Sequence, residues 1–237
     1  MSIRYVKCQD INEIGKQVGE LFISQVKNNP YSSFILATGS SPITTYQTIV
    51  KDYQINHTDW SKAITFNLDE YIGMSKKYFN QSYRYFMDKN LFNHINIDKT
   101  HTYFPNQELV GDNYQKLIRQ CPQIELAILG VGNNGHIAFN EPGTPIDSQT
   151  HIVNLTISSR QANARFFNDD INNVPKQAVT MGLKEILQAK KIILIATGKV
   201  KKEAIQHLQH AKYFDPNWPI TALTHHSNVI VYTDNLD

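Results

Sequence analysis

Cysteine is scarce in this chain of 237 residues, and the two present, Cys8 and Cys121, match no metal-ligand spacing. They read as reduced thiols, so the cytoplasm is the expected compartment. No stretch approaches about 18 consecutive apolar residues, which argues against a membrane partner. The N-terminal residues 1–7 lack a signal peptide's apolar core. An excess of one charge is missing too: 23 Lys and Arg face 21 Asp and Glu, a net charge of +2. Without a basic run, nucleic acid is not indicated as a partner. The short Lys199-Val200-Lys201-Lys202 cluster reads as a helix start. Repeats, low-complexity tracts and linkers are absent, so residues 1–237 are read as a single domain.

What the chain does have is an alternation of apolar strands with amphipathic helices. That predicts an open, Rossmann-like α/β fold, a mainly parallel sheet flanked by helices. Asp10-Ile11-Asn12-Glu13 is a capping-box-like start. Ile11, Ile14, Val18, Leu21, Phe22 and Val26 then keep helical spacing, so residues 1–30 are read as one helix. A strand over 33–37 ends in Thr38, Gly39, Ser40 and Ser41, with Ser41 suited to cap a helix over 43–53 and Pro42 to open it. A small polar turn before a helix N-terminus makes an anion site, because free N–H groups and the helix dipole face the ligand. An ordinary βα turn fits these residues equally well.

A strand over 63–68 leads into Asp69 and Glu70, at the strand end where open α/β sheets bind ligands. On those residues alone, capping or solvated charge is the competing reading. Helices are expected over 82–94 and 108–120. Residues 147–156 are polar with some β character, and a helix over 158–167 with the loop 168–174 reads as a lid. A strand over 178–181, a helix over 183–188 and a strongly apolar strand over 191–196 follow. Gly198 to Lys201 repeats the strand–glycine–helix arrangement. By default Arg165 reads as a surface charge and Lys201 as a solvated helix lysine, with anion contacts as the alternative. Short strands over 220–223 and 229–232 complete the reading.

The stretch most loaded with chemistry follows the apolar strand over 126–131. Gly130, Gly132 and Gly135 let backbone approach a ligand closely, and Asn134, His136 and Glu141 put an amide, an imidazole and a carboxylate into one short loop. The glycine spacing also fits a dinucleotide fingerprint. That motif needs a helix directly after the glycines and an acid about 20 positions on. Here Pro142-Gly143 breaks any helix early, and no strand ends in an acid near position 155. The loop reads as catalytic.

Several segments, in order, resemble the glucosamine-6-phosphate deaminase family. They are Ala37-Thr38-Gly39-Ser40-Ser41-Pro42, Thr65-Phe66-Asn67-Leu68-Asp69-Glu70-Tyr71, Ser82-Tyr83-Arg84-Tyr85-Phe86-Met87 and the run from Gly130 to Pro142. Ala162-Asn163-Ala164-Arg165-Phe166-Phe167 and Gly198-Lys199-Val200-Lys201 add two more, so the likeness extends over residues 33–210. It implies a conversion of glucosamine 6-phosphate to fructose 6-phosphate and ammonia without cofactor or metal. By similarity, His136 opens the sugar ring, with Glu141 and Asn134 as its partners, and Asp69 moves the C2 proton. Thr38, Gly39, Ser40, Ser41, Arg165 and Lys201 would bind the substrate's phosphate.

Two departures bear on function. Some family members carry aspartate where this chain has Asn134, and an amide brings no negative charge to the imidazole, so a different pH profile is expected. The longer, allosteric, hexameric relatives have a C-terminal extension and basic residues where this chain offers His151 and Val153 in a loop. No amino-sugar-phosphate activation is expected, and a monomer or small homo-oligomer is. A 6-phosphogluconolactonase shares the fold and glycine–histidine loop but has no use for a base at Asp69. Action on galactosamine 6-phosphate stays open, since one hydroxyl's configuration separates the two sugars. A sugar-phosphate sensor would need an attached DNA-binding unit.

Overall fold

The structure, a computed structural model, describes residues 3–106, 112–121 and 123–234. In chain order its elements are β1 (Arg4–Lys7), α1 (Ile11–Asn28), β2 (Ser33–Leu36), α2 (Ile43–Asn56), β3 (Ile64–Asn67), β4 (Asp69–Ile72), α3 (Tyr83–Asn90), β5 (Thr102–Tyr103), α4 (Asp112–Gln120), β6 (Ile124–Gly130), β7 (His151–Asn154), α5 (Ile157–Ala164), β8 (Gln177–Thr180), α6 (Leu183–Ile186), β9 (Lys191–Ala196), α7 (Lys202–His210) and β10 (Val229–Thr233). The helix expected from Glu108 lies partly outside the described residues; Asp112–Gln120 is its described part. Among the described residues no helix is long and apolar enough to cross a membrane.

Seven strands pair in parallel in the order β1-β10-β9-β6-β2-β3-β5. Central β6 and β9 are almost wholly apolar and buried, as parallel strands covered on both faces must be. The chain leaves β2 through α2 toward β3 on one side and leaves β6 toward β9 on the other. A crevice therefore opens between β2 and β6, the place where such sheets take ligands.

Helix α1 starts as its sequence suggests: the Asp10 carboxylate accepts the N–H groups of Asn12 and Glu13. The reciprocal bond of a capping box is displaced by one residue, since Glu13 accepts from the N–H of Gln9. Gly15 and Gly19 then let α2 lie directly against α1. A Cβ on Gly15 would stand 2.3 Å from the Thr44 hydroxyl, and one on Gly19 would stand 2.6 Å from the Thr48 Cβ. Thr44 donates to the Ile11 carbonyl across this contact. The packing fixes where the N-terminus of α2 points.

Beside the main sheet, β4, β8 and β7 form a small antiparallel one. It carries a second apolar cluster of Tyr71, Tyr78, Phe139, Leu155, Phe167, Val174 and Ala178. Glu70, on β4, ties this sheet to α3: its carboxylate accepts the backbone N–H groups of Tyr71, Tyr83 and Arg84. Ser82 accepts a further N–H, from Tyr85, so the start of α3 is satisfied twice over.

Four expectations need correction. Residues 1–30 are not one helix, because Arg4–Lys7 is a strand that pairs with β10 from the far end of the chain, a long-range pairing that local periodicity does not carry. Ser41 does not cap α2: Pro42 holds the N-cap position and no side chain bonds to the first turn. Residues 220–223 are a 3-10 turn within Pro219–His225, not a strand; their apolarity reflects burial, and the Ile220 N–H is taken by the Gly135 carbonyl. His151 and Val153 lie on β7 paired with β8, not in a loop.

We predict that Glu70→Ala, by stripping a half-buried acceptor from three backbone N–H groups, destabilises the fold by about 1–3 kcal/mol. Urea denaturation reads this directly, and an unchanged midpoint would contradict it.

Candidate active site

The register aligns Leu36 with Asn67 and Gly130 with Ile195. The segments beyond β2, β3, β6 and β9 therefore leave one edge of the sheet side by side. Between them they contain every residue singled out from the sequence except Arg165, which follows α5.

The loop after β6 is built around a close approach. A Cβ on Gly132 would lie 2.2–2.4 Å from three atoms of the His136 ring, so the imidazole occupies space that only glycine leaves free. The Gly132 N–H donates back to the His136 carbonyl at 2.9 Å, closing the turn. Gly135 has φ +80° and faces Trp218, whose ring would be 2.6 Å from an added Cβ. His207 stacks on that indole at 3.7 Å. The loop is fastened at both ends to one segment, since Gly135 accepts from Ile220 and Gly143 donates to Pro216.

Glu141 is buried, yet its carboxyl is held at about 2. Burial alone would push it up, but His136, Ser159 and Asn134 favour the ionised form. An ionised carboxylate only accepts hydrogen bonds. The Asn134 amide nitrogen must therefore face Oε2 of Glu141, at 2.7 Å, and its carbonyl oxygen faces Nδ1 of His136, also at 2.7 Å. Nδ1 carries the donated proton, and Nε2 is left as the open nitrogen. The absence of an aspartate at 134 does not leave the ring without a charge: Oε2 of Glu141 is itself 3.5 Å from Nδ1.

Asp69 sits in the opposite environment. It is 7% exposed, and burial, with the neighbouring Glu70 carboxylate, raises its carboxyl from 3.8 to about 8. Its strand brings it toward the imidazole loop: Asp69 pairs with Thr180 on β8, and the Thr180 hydroxyl accepts the Phe139 N–H. Asn140 strengthens the seam by donating to the carbonyls of Ile137 and Met181. Ala138, between them, takes φ +53°, a left-handed conformation uncommon for a residue with a Cβ.

The anion side is assembled from three segments. In the turn after β2, Gly39 has φ +93°. Ser41 lies 3.8 Å from where a Gly130 Cβ would be, so turn and loop are neighbours. The first turn of α2 has no side-chain cap, which leaves its N–H groups and dipole available to an anion. Lys201 donates to Oδ1 of Asn133 at 2.7 Å. Burial, and then the positive charge of Arg165, lower its ammonium's pKa. Arg165 is exposed and lies over the Phe166 ring. A lysine that is desolvated and set near a second cation marks a place where an anion is favoured. Among the described residues no group of three or more His, Cys, Asp or Glu could hold a metal ion.

The model of the glucosamine-6-phosphate isomerases/6-phosphogluconolactonase family matches residues 9–232. The chain belongs to this family. A glucosamine-6-phosphate deaminase of Malacoplasma penetrans (strain HF-2) is 46% identical, over 98% of each chain. One of Halalkalibacterium halodurans is 39% identical, over 98% of this chain and 95% of the other. Among solved structures, a monomeric glucosamine-6-phosphate deaminase superposes with a TM-score of 0.92 at 35% identity, covering 98% of this chain and 97% of that one. The 6-phosphogluconolactonase of Thermotoga maritima superposes at 0.71 with 15% identity, over 98% and 97% of the two chains, a likeness of fold alone.

Within this family fold, the sequence reading did not single out Thr156, Ser159, Thr180 or Trp218, each of which bonds to or packs on the central loop. Only Thr156-x-x-Ser159 leaves a local trace, as a helix cap: Thr156 accepts the Ser159 N–H.

Folded Asp69 keeps its proton up to about pH 8, whereas an ordinary carboxyl releases it near 3.8. Between those values the folded state binds more protons than the unfolded chain, so this group's contribution to stability falls as pH rises. Asp69→Asn is predicted to melt at the wild-type temperature near pH 4 and increasingly above it toward pH 8. A melting gap that does not grow over this window would refute the assignment.

Proposed function

We propose that the protein is a glucosamine-6-phosphate deaminase, converting glucosamine 6-phosphate and water to fructose 6-phosphate and ammonia. One observation supports the reading most: a buried, proton-holding carboxyl follows β3 and a carboxylate-backed imidazole follows β6, on either side of the β2 turn, and Lys201 feels the charge of Arg165. The identity with relatives named for this activity supports it.

In this reading the phosphate rests on Thr38, Gly39, Ser40 and Ser41 and is gripped by Arg165 and Lys201 through charge-assisted hydrogen bonds. His136, with Nε2 open, moves the anomeric hydroxyl proton to the ring oxygen and opens the sugar. The resulting C1 aldehyde acidifies the C2 proton. Asp69, ionised in the productive state, removes it while the C1 oxygen takes a proton from the C2 ammonium, giving an enolamine. Asp69 then returns the proton to C1 while the C2–N pair forms an iminium. Water adds at C2 and ammonia leaves, so one water is consumed and no redox change occurs. Asp69 and Glu141 divide the work through their surroundings: apolar burial holds a proton on one, and hydrogen bonds keep the other charged. No cofactor is needed for these steps.

We read residues 1–237 as one catalytic domain acting in the cytoplasm as a monomer or small homo-oligomer. The likeness to a monomeric deaminase supports the monomer. Neither a nucleic acid nor a membrane is proposed as a partner.

The test is enzymatic ammonia release from glucosamine 6-phosphate, run beside its galacto epimer and 6-phosphogluconolactone. The expected result is ammonia from the gluco sugar and no lactone hydrolysis; lactone hydrolysis without ammonia would reverse the reading. Asp69→Asn should lower kcat about 10²–10⁴-fold. Because Asp69 must ionise, kcat/KM should rise with pH on a limb near 8. Arg165→Ala should raise KM for the phosphorylated sugar, and a variant with KM and kcat both unchanged removes Arg165 from the phosphate site.

A further inference from the structure

Helix α5 carries different chemistry at its two ends. Its C-cap is Arg165 and its N-cap is Thr156. The Thr156 hydroxyl accepts the Ser159 N–H at 3.1 Å and lies 2.9 Å from the Ser159 oxygen. It is also 3.5 Å from Oε1 of Glu141, but its single proton goes to the nearer acceptor. That leaves the Ser159 proton for Oε1 of Glu141, at 2.5 Å. Ser159 is buried at 8% exposure, so this bond is made in a setting where a lost donor is costly.

The two oxygens of Glu141 thus belong to different parts of the molecule. Oε2 is engaged by Asn134 and stands beside His136, within its own loop. Oε1 is engaged by the helix that ends in the phosphate-side arginine. Resting on the deaminase reading, we infer that Ser159, oriented by Thr156, is a positioning residue that fastens Glu141 to the lid helix. The imidazole relay is then fully set only when α5 is docked. Ser159 touches no reacting atom; it acts through Glu141, Asn134 and His136.

The charged surroundings of Glu141 are simple. His136 faces it from its own loop, and α5 faces it with hydroxyls, since Arg160 is turned to the carbonyls of Ile171 and Val174. The Ser159 bond is among those holding Glu141 down against burial. Losing one hydrogen bond to a charged acceptor moves that acceptor's titration by about one to two pH units.

The experiment is a pH titration of the ¹³C-labelled Glu141 carboxyl by NMR in the whole chain, for wild type, Ser159→Ala and Ser159→Thr. Ammonia release is measured alongside. Ser159→Ala should raise the Glu141 midpoint by about one pH unit or more. It should lower kcat about tenfold while KM changes less than twofold, and Ser159→Thr should restore both. Thr156→Val should move the midpoint the same way by less, and it serves where Ser159→Ala does not fold. An unmoved Glu141 midpoint, or a kcat loss that threonine does not restore, overturns the role of Ser159. If the wild type releases no ammonia, the deaminase reading fails by itself, and the titration still decides whether Ser159 holds Glu141.

Discussion

The arrangement depends on Glu141 being ionised. A carboxylate accepts and never donates, so the orientation of the Asn134 amide follows from it. The amide in turn dictates which nitrogen of His136 carries a proton. No part of this relay needs an aspartate at position 134, because the charge stands one hydrogen bond further along and still lies 3.5 Å from the ring. Asparagine here acts as a directional coupler rather than as a weakened acid.

Asp69 shows the contrary use of burial. Both carboxyls are largely hidden from solvent, yet one is pushed up to about 8 and the other held near 2. The difference is the supply of donors. Glu141 has an amide, a hydroxyl and an imidazole, whereas Asp69 has the Glu70 charge beside it. Burial raises the Glu70 carboxyl as well, and three backbone N–H groups at β4 and the start of α3 work against that rise. One acid of the Asp69-Glu70 pair is structural, and it tunes the other.

Much of this was legible in the sequence. The alternation of strands and helices predicts the parallel sheet, and the β9 bounds fall where the apolar run does. The loop chemistry at Asn134, His136 and Glu141 is visible as residue types in one short stretch. Less was legible where the partner is distant. Strand β1 exists because β10 lies beside it, and Ile220 and Leu223 belong to the main core, with the Ile220 N–H bonded to Gly135, rather than to a strand ladder. Gly15 and Gly19 look like weak points in a helix until Thr44 and Thr48 are seen filling the space they leave.

The sequence by itself determined most of the strand and helix order and the chemical inventory, because propensity, periodicity and side-chain type are local properties. The tertiary structure decided direction and state: which oxygen of Glu141 meets helix α5, which nitrogen of His136 is open, and which acid keeps its proton. Those follow from desolvation and from donors that arrive from other strands. Neither quantity is carried by any single stretch of chain.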